Sequence, residues 1–207
     1  MKTLKVNEVY RSVQGEGCRA GTDNVFVRFS GCNMRCSLEP SAKSPGGFDC
    51  DTEFVSGRKM TIAELIDWIK AEDSANDKAP CKNVILTGGE PGLQTTSEVV
   101  EALHDAGYFV AIETNGSILL PDNIDYVAVS PKVAEHCIRQ KTADEVRYVR
   151  GYGQALPRTV VNAKKYLISP AANGDTFEQR VVDWCKELVK GSKWEVSIQL
   201  HKINNVR

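Results

Sequence analysis

The sequence predicts an α/β fold, specifically an incomplete, partial TIM-like β/α barrel with reduced helical cover. Short apolar strand patterns alternate with a few amphipathic helical patterns, an order that is typical of a mostly parallel sheet. The helices are too few for a closed barrel, because segments 113–126 and 130–145 are polar or interrupted by Gly and Pro. With 207 residues and 42% hydrophobic content, the chain is expected to form one domain over residues 1–207.

The individual elements follow from local patterns. The predicted strands cover residues 24–30, 83–87, 109–113, 126–130, 146–149, 165–169 and 195–199. Three helices are predicted at 61–71, 97–106 and 177–189. Thr61 and Glu64 form a capping box at the start of the first helix, and Gly107 follows the second, where it is a common helix stop.

An inserted surface loop is predicted at about 37–49, where Pro, Gly and Ser are frequent. It lies between Cys36 and Cys50, so it must loop out for both thiols to reach one site. A tolerated insertion and a functional lid are both compatible with this composition.

The composition argues against several classes of partner. The 26 basic and 27 acidic residues give a net charge of −1, so bulk electrostatics favours neither a nucleic acid nor an anionic membrane. No apolar stretch approaches the roughly 20 residues that span a bilayer, and the first residues lack the apolar core of a signal peptide. Seven cysteines in such a chain favour reduced thiols and a cytoplasmic protein.

Cys32, Cys36 and Cys50 predict a metal centre. No histidine lies near enough in the sequence to complete a zinc site with them. Three thiolates without a fourth protein ligand suit a 4Fe-4S cluster with one open iron, because soft sulfur ligands hold iron–sulfur clusters. An open iron indicates chemistry at the cluster, since a substrate or cofactor can bind there.

Gly-rich or polar motifs follow four consecutive predicted strands. Ligands gather at the carboxyl ends of strands in a parallel sheet. A pair of glycines lets the backbone approach a ligand closely. Besides Cys32, the motifs are Thr87-Gly88-Gly89-Glu90-Pro91, Glu113-Thr114-Asn115-Gly116 and Ser130-Pro131-Lys132.

Together these features resemble the radical S-adenosylmethionine superfamily. Its usual cysteine spacing is three residues and then two, whereas this chain has three and then 13. The resemblance implies that S-adenosylmethionine chelates the open iron through its amine and carboxylate. The implied contacts are Gly89, Glu90, Glu113, Asn115, Ser130, Lys132 and Ser169. For Lys132, a solvated surface lysine is the alternative.

A longer ordered set of motifs resembles the 7-carboxy-7-deazaguanine synthase family more narrowly. The set includes Val13-Gln14-Gly15-Glu16-Gly17, Cys50-Asp51-Thr52-Glu53-Phe54 and Gln199-Leu200-His201-Lys202. The resemblance implies a radical carbon–nitrogen lyase that converts 6-carboxy-5,6,7,8-tetrahydropterin to 7-carboxy-7-deazaguanine with loss of ammonia, in queuosine and 7-deazapurine biosynthesis. It also implies regenerated S-adenosylmethionine, an electron donor such as flavodoxin or ferredoxin, and a homodimer.

The residue types agree with a pterin substrate. A pterin edge needs paired donors and acceptors, which Gln14 and the neighbouring backbone offer, and its carboxylate needs a cation such as Arg28 or His201. The implied substrate contacts are Val13, Gln14, Gly15, Glu16, Arg28, Thr87, His201 and, through the terminal carboxylate, Arg207. Arg28 paired with a carboxylate such as Glu16, and His201 as a solvated tail residue, are the alternatives.

The resemblance also implies Mg²⁺, with Thr52 as its protein ligand. A hydroxyl oxygen suits a hard cation that keeps most of its ligands from water or substrate. Thr52 capping the turn after Cys50 is the alternative.

Two other functions explain part of the pattern. A glycyl-radical-enzyme activating enzyme shares the three cysteines and the Gly-Gly-Glu motif but acts on a protein partner. A non-catalytic zinc or cluster-binding module would use Cys18 as a fourth thiolate, and Cys18 is also the fallback ligand for the cluster if Cys50 is not one. Cys81 and Cys185 lie in apolar patterns that are typical of core residues.

Overall fold

The computed structural model describes residues 3–34, 54–75, 79–173 and 176–200. The strands are β1 (Leu4–Val13), β2 (Asp23–Phe29), β3 (Arg58–Met60), β4 (Asn83–Gly88), β5 (Phe109–Thr114), β6 (Tyr126–Val129), β7 (Thr142–Arg150), β8 (Asn162–Pro170), β9 (Ala172–Asn173), β10 (Thr176–Phe177) and β11 (Trp194–Val196). The helices are α1 (Ile62–Ser74), α2 (Ser97–Asp105) and α3 (Gln179–Val189). No helix in these ranges is long and apolar enough to cross a membrane.

A single sheet organises the described part of the fold, with the strand order β11-β8-β7-β6-β5-β4-β2-β1-β3. Every neighbouring pair from β2 to β11 is parallel, whereas β1 pairs antiparallel with both β2 and β3. Strands β9 and β10 form a separate hairpin. The sheet has few helices, so the predicted partial α/β barrel with reduced helical cover is confirmed.

Every predicted strand and helix is found, with differences at the ends. Strands β7 and β8 extend beyond the predicted 146–149 and 165–169, and β11 ends before the predicted 199. The short strands β3, β9 and β10 and the long strand β1 are absent from the predicted strands. For β1 there is a local reason. A register shift between Val6 and Glu8 spaces its buried residues as Leu4, Val6 and Val9, which breaks the strict alternation that identifies a strand.

Apolar side chains on the outer face of the sheet pack against the helices. One cluster joins β1, β2, β4 and β5 to α1 and α2, and a second joins β7, β8 and β11 to α3. Thr61 and Glu64 form the predicted capping box at the start of α1. A short 3₁₀ turn at Glu135–Cys137 occurs in the connection from β6 to β7, which contains no α-helix, and another at Pro91–Leu93 precedes α2.

The inner face of the sheet changes from apolar to polar along the strands. Phe26, Ile85 and Ala111 pack together with Tyr10 and Tyr126 near the amino ends of the parallel strands. Side chains alternate along a strand, so the residue two positions further on faces the same side. The next inner residues towards the carboxyl ends are Arg28, Thr87, Glu113, Ala128 and Glu145. The four polar ones, Arg28, Thr87, Glu113 and Glu145, form what we call the inner polar layer.

Candidate active site

The Gly88-Gly89 turn packs directly against the end of β2. A Cβ on Gly88, whose φ is +134°, would collide with the backbone of Phe29. A Cβ on Gly89 would collide with the carbonyl of Gly31 and lie 2.8 Å from the Cβ of Cys32. The two glycines are therefore required for β4 to approach the segment that carries Cys32.

Cys32 is half-buried in this segment, and its sulfur accepts a hydrogen bond from the N–H of Met34 at 3.4 Å. A main-chain N–H that points at sulfur stabilises a thiolate, which is the form that binds iron. The surroundings of Cys32 thus fit a cluster ligand. The other predicted metal ligands, Cys36, Cys50 and Thr52, lie outside the described residues.

Glu90 is fully buried and joins the ends of two strands. Its carboxylate accepts hydrogen bonds from the N–H of Gly92 at 2.8 Å, the hydroxyl of Thr114 at 2.7 Å and the N–H of Asn115 at 2.7 Å. Burial raises the pKa of Glu90, while these donors act in the opposite direction. The side chain is thus committed to holding the two motifs together.

Asn115 ties the end of β5 to the cysteine segment. Its side-chain amide donates to the side chain of Asn33 at 3.2 Å, and its oxygen accepts from the N–H of Ser117 at 2.9 Å. Asn33 in turn donates to the hydroxyl of Ser117 at 2.8 Å. Because Asn33 directly follows Cys32, this network fixes the loop of the first predicted cluster ligand against β5.

Ser169 presents an orphaned polar atom on the inner face of the sheet. It is 2% exposed, and its hydroxyl has no hydrogen-bond partner within the described residues. An unpaired buried hydroxyl is costly unless a ligand satisfies it. This hydroxyl fits a polar group of a bound cofactor, whereas Ser130 and Lys132, also predicted contacts, are half-buried on the turn after β6.

Gln14 and Glu16 reach the inner polar layer from the turn between β1 and β2. The Gln14 amide donates to the Glu113 carboxylate at 2.8 Å, and its oxygen accepts from the N–H of Glu16 at 3.1 Å. Gly17 has a φ of +72°, and a Cβ there would collide with the Glu145 carboxylate. The Gly-Glu-Gly motif therefore allows a close approach of this turn to β7.

Arg147 is a buried cation beside the predicted site residues that the sequence analysis does not identify. Its guanidinium lies 2.8 Å from Glu113, 3.2 Å from Glu16 and 3.0 Å from Glu145, and its side chain is 5% exposed. Burial alone lowers the pKa of Arg147, but the three carboxylates raise it well above its usual value. A sequence signal exists in the alternation of Glu145 and Arg147 with apolar Val146, which indicates a charged inner face.

The segment after β11 packs on the same turn. The Gln199 amide donates to Glu16 at 2.9 Å, and the N–H of Leu200 donates to the carbonyl of Gly15 at 2.7 Å. Two predicted substrate contacts, His201 and Arg207, lie outside the described residues.

Arg28 lies in the inner polar layer opposite Thr87. Its guanidinium pairs with Glu8 at 2.7 Å and contacts the hydroxyl of Tyr10 at 3.3 Å. Arg28 therefore forms the ion pair with a carboxylate that was the alternative interpretation, but its partner is Glu8 and not Glu16. The Arg28 side chain is 19% exposed, so it combines a fixed orientation with access to the interior.

Four cysteines, which we call the spare cysteines, are not among the three predicted cluster ligands: Cys18, Cys81, Cys137 and Cys185. They differ in burial. Cys81 and Cys185 are buried, as predicted for core residues. Cys18 is exposed in the turn beside β7, where its N–H donates to Glu145 at 2.7 Å. Cys18 thus contacts β7, whereas Cys32 lies beside Gly89 at the turn after β4.

Comparisons with known proteins agree with this arrangement. The profile of the family described as "4Fe-4S single cluster domain" matches residues 13–118. A 7-carboxy-7-deazaguanine synthase of Bacteroides thetaiotaomicron is 38% identical over 98% of this chain and 98% of its own length. A protein of the same name from Bradyrhizobium diazoefficiens is 33% identical, again over 98% of each chain.

A solved structure shares the fold. The crystal structure of QueE from Escherichia coli superposes with a TM-score of 0.68, covering 96% of this chain and 95% of that protein. The two sequences are 18% identical, so this similarity concerns the fold.

Proposed function

The chain belongs to the 7-carboxy-7-deazaguanine synthase family, and on that premise we propose how its residues divide between substrate and cofactors. It is a radical S-adenosylmethionine lyase of queuosine biosynthesis that carries a 4Fe-4S cluster. The full-length similarity favours this function over a glycyl-radical-enzyme activating enzyme.

The proposed substrate is 6-carboxy-5,6,7,8-tetrahydropterin, bound between the turn after β1 and the inner polar layer. The observation that carries this proposal is the connection between the turn after β1 and the end of β5. Gln14 donates a hydrogen bond to Glu113, and Glu16 pairs with Arg147, which also pairs with Glu113. A turn far away in sequence is thereby held at the strand end beside the cysteine segment. Gln14 and Glu16 offer donors and acceptors to the pterin edge, together with the backbone of Val13 and Gly15.

The substrate carboxylate is assigned to Arg28 and His201, with Thr87 and the terminal carboxylate of Arg207 as further contacts to the substrate. The ion pair with Glu8 keeps the Arg28 guanidinium charged and oriented. A guanidinium recognises a carboxylate through paired N–H donors in one plane.

The cofactors are assigned to the carboxyl ends of the strands. When bound, the reduced cluster and S-adenosylmethionine supply the radical that removes a hydrogen atom from the substrate. Cys32, Cys36 and Cys50 would hold the cluster. Gly89 offers backbone groups, while Glu113, Asn115, Ser130, Lys132 and Ser169 offer polar side chains to S-adenosylmethionine; Glu90 acts by holding the Gly-Gly-Glu turn against β5.

Two further proposals rest on the family resemblance: Thr52 binds Mg²⁺, and the protein forms a homodimer. Removal of Mg²⁺ with EDTA is expected to slow product formation, and added Mg²⁺ is expected to restore it; Thr52→Ser should retain this response and Thr52→Ala should weaken it. Light scattering should give twice the mass of one chain.

The decisive experiment is anaerobic reconstitution with iron and sulfide, followed by mass spectrometry after adding reductant, S-adenosylmethionine and the pterin. The expected product is 7-carboxy-7-deazaguanine without matching consumption of S-adenosylmethionine. Gln14→Ala should raise the KM for the pterin, whereas Gln179→Ala, at an exposed glutamine on α3, should leave it unchanged. Formation of 5′-deoxyadenosine without the deazapurine would refute the proposed substrate.

A further inference from the structure

Arg147 connects three carboxylates that come from separate parts of the chain. Nη2 donates a hydrogen bond to Glu113, whereas Nη1 and Nε lie within ion-pair distance of Glu16 and Glu145 but make no hydrogen bond within the described residues. The guanidinium is thus held mainly by charge. A group held in this way can shift when one of its partners moves.

The three carboxylates differ in their freedom. Glu145 is 3% exposed and also accepts hydrogen bonds from the N–H of Cys18 and the hydroxyl of Tyr126. Glu16 and Glu113 are 23% and 25% exposed, so a ligand can reach both. Glu145 therefore anchors Arg147, and Arg147 orients the two accessible carboxylates.

The local charge makes Arg147 necessary for this arrangement. Without the guanidinium, Glu16, Glu113 and Glu145 would face one another in a largely buried space. Arg19 is a second cation close to this group, near Glu145 and 5.5 Å from the ring of Tyr126. Lys165 lies opposite Glu145 on β8 but pairs with Glu195 at 2.7 Å. Like charges in such surroundings repel strongly because the local dielectric constant is low.

We propose that Arg147 is a positioning residue that couples binding of the pterin to binding of S-adenosylmethionine. This inference rests on the proposed function, in which Glu16 contacts the pterin and Glu113 contacts S-adenosylmethionine. A ligand that orders one carboxylate against Arg147 also orders the other, so the second ligand meets a site that is already arranged. The coupling is positive, and thermodynamic linkage makes it equal in both directions.

The coupling is measured by calorimetry on the reconstituted enzyme with an oxidised cluster, in which no turnover occurs. Dissociation constants for S-adenosylmethionine are determined with and without saturating pterin, and for the pterin with and without S-adenosylmethionine. In the unsubstituted enzyme each ligand is expected to tighten the other at least about 5-fold, the lower end of typical coupling.

We call the ratio of the two dissociation constants of a ligand, without and with the other ligand, the coupling factor. Arg147→Met is expected to reduce the coupling factor to near 1. Arg147→Lys is expected to give an intermediate value, because a lysine keeps the charge but lacks the planar guanidinium with its paired N–H donors. Arg150→Met is the matched control, since Arg150 lies on the same strand and contacts the ring of Tyr148 instead of the carboxylates. If Arg147→Met does not fold, Arg147→Met with Glu145→Gln removes the cation together with one buried negative charge.

An undiminished factor in Arg147→Met or in the double variant would overturn the inference, as would an unsubstituted enzyme without coupling. These outcomes are distinct from a failure of the proposed function. That failure would appear as an enzyme that forms no deazapurine, whereas the coupling concerns binding alone.

Discussion

The N–H of Asn115 donates a 2.7 Å hydrogen bond to the Glu90 carboxylate and thereby joins the turn after β4 to the turn after β5. Both turns carry motifs assigned to S-adenosylmethionine. Because Glu90 is 0% exposed, water cannot replace this bond if the carboxylate is lost. The relative position of these two turns thus depends on one buried side chain.

Glu90→Ala should lower the free energy of unfolding by about 3–5 kcal/mol, because two buried donors and one partly buried donor lose their acceptor at once. Glu90→Gln retains one acceptor oxygen and should lose less. Urea unfolding followed by circular dichroism provides the measurement. Glu101→Ala, at an exposed position on α2, is the control and should stay within about 0.5 kcal/mol of the unsubstituted protein. Equal midpoints for Glu90→Ala and Glu101→Ala would contradict a structural role for Glu90.

The pH dependence of stability should also report on Glu90. Burial raises its pKa above the ordinary value of 4.5, so above pH 4.5 the folded protein binds more protons than the unfolded chain. Stability relative to Glu90→Gln should therefore fall as pH rises from 4.5 to the folded-state pKa and then level off. Unfolding free energies of both proteins across this range test the trend. A relative stability that rises with pH would mean that the three hydrogen bonds outweigh burial.

Gly17→Ala should disturb the substrate side of the site. A Cβ at Gly17 would collide with the Glu145 carboxylate, whereas a Cβ at Gly21 would have no atom within 4 Å. Both glycines have positive φ, at +72° and +88°, so each alanine carries a similar backbone cost of about 1–2 kcal/mol. Only Gly17→Ala should additionally displace Glu16 and raise the KM for the pterin. Steady-state kinetics of both variants test this, and equal KM values would argue against it.

Much of the fold could be predicted because parallel strands are apolar and end in recognisable turns. The strand patterns before Thr87 and Glu113 are short and uniform, and the polar motifs follow directly. The Gly-Gly pair predicted a close approach of the backbone to a ligand, and that stays a prediction. In the structure, Gly88 and Gly89 pack closely against the end of β2, next to Cys32.

The surroundings of Arg147 could not be predicted in the same way. Glu16, Glu113 and Glu145 come from three separate segments, and their meeting depends on strand register and on a turn that enters the sheet from β1. Local pattern identifies a charged residue in a strand but not its partners. The same limit applies to Arg28, whose partner Glu8 lies on a strand with a register shift.

Alkylation should separate the spare cysteines by burial. Burial raises the pKa of the Cys81 and Cys185 thiols, which lowers the fraction of reactive thiolate, and both side chains are inaccessible. Cys137 is exposed and should react with iodoacetamide at pH 8 faster than Cys81 and Cys185. Peptide mapping by mass spectrometry measures the order, and urea should abolish the difference. Equal rates for the three cysteines in the folded protein would contradict the described core.

Gly89→Ala should impair cluster assembly through Cys32. The added Cβ would lie 2.8 Å from the Cβ of Cys32 and collide with the carbonyl of Gly31, so the cysteine segment must move away from the turn after β4. A displaced first ligand should leave less than about half of the normal iron and sulfide per chain after reconstitution, because cluster ligation requires all three thiolates in place. Gly153→Ala is the control, since a Cβ there meets no atom within 4 Å. Circular dichroism should show both variants folded. A full iron content in Gly89→Ala would mean that the cysteine segment adapts freely and that the close packing of the two strand ends does not determine the position of Cys32.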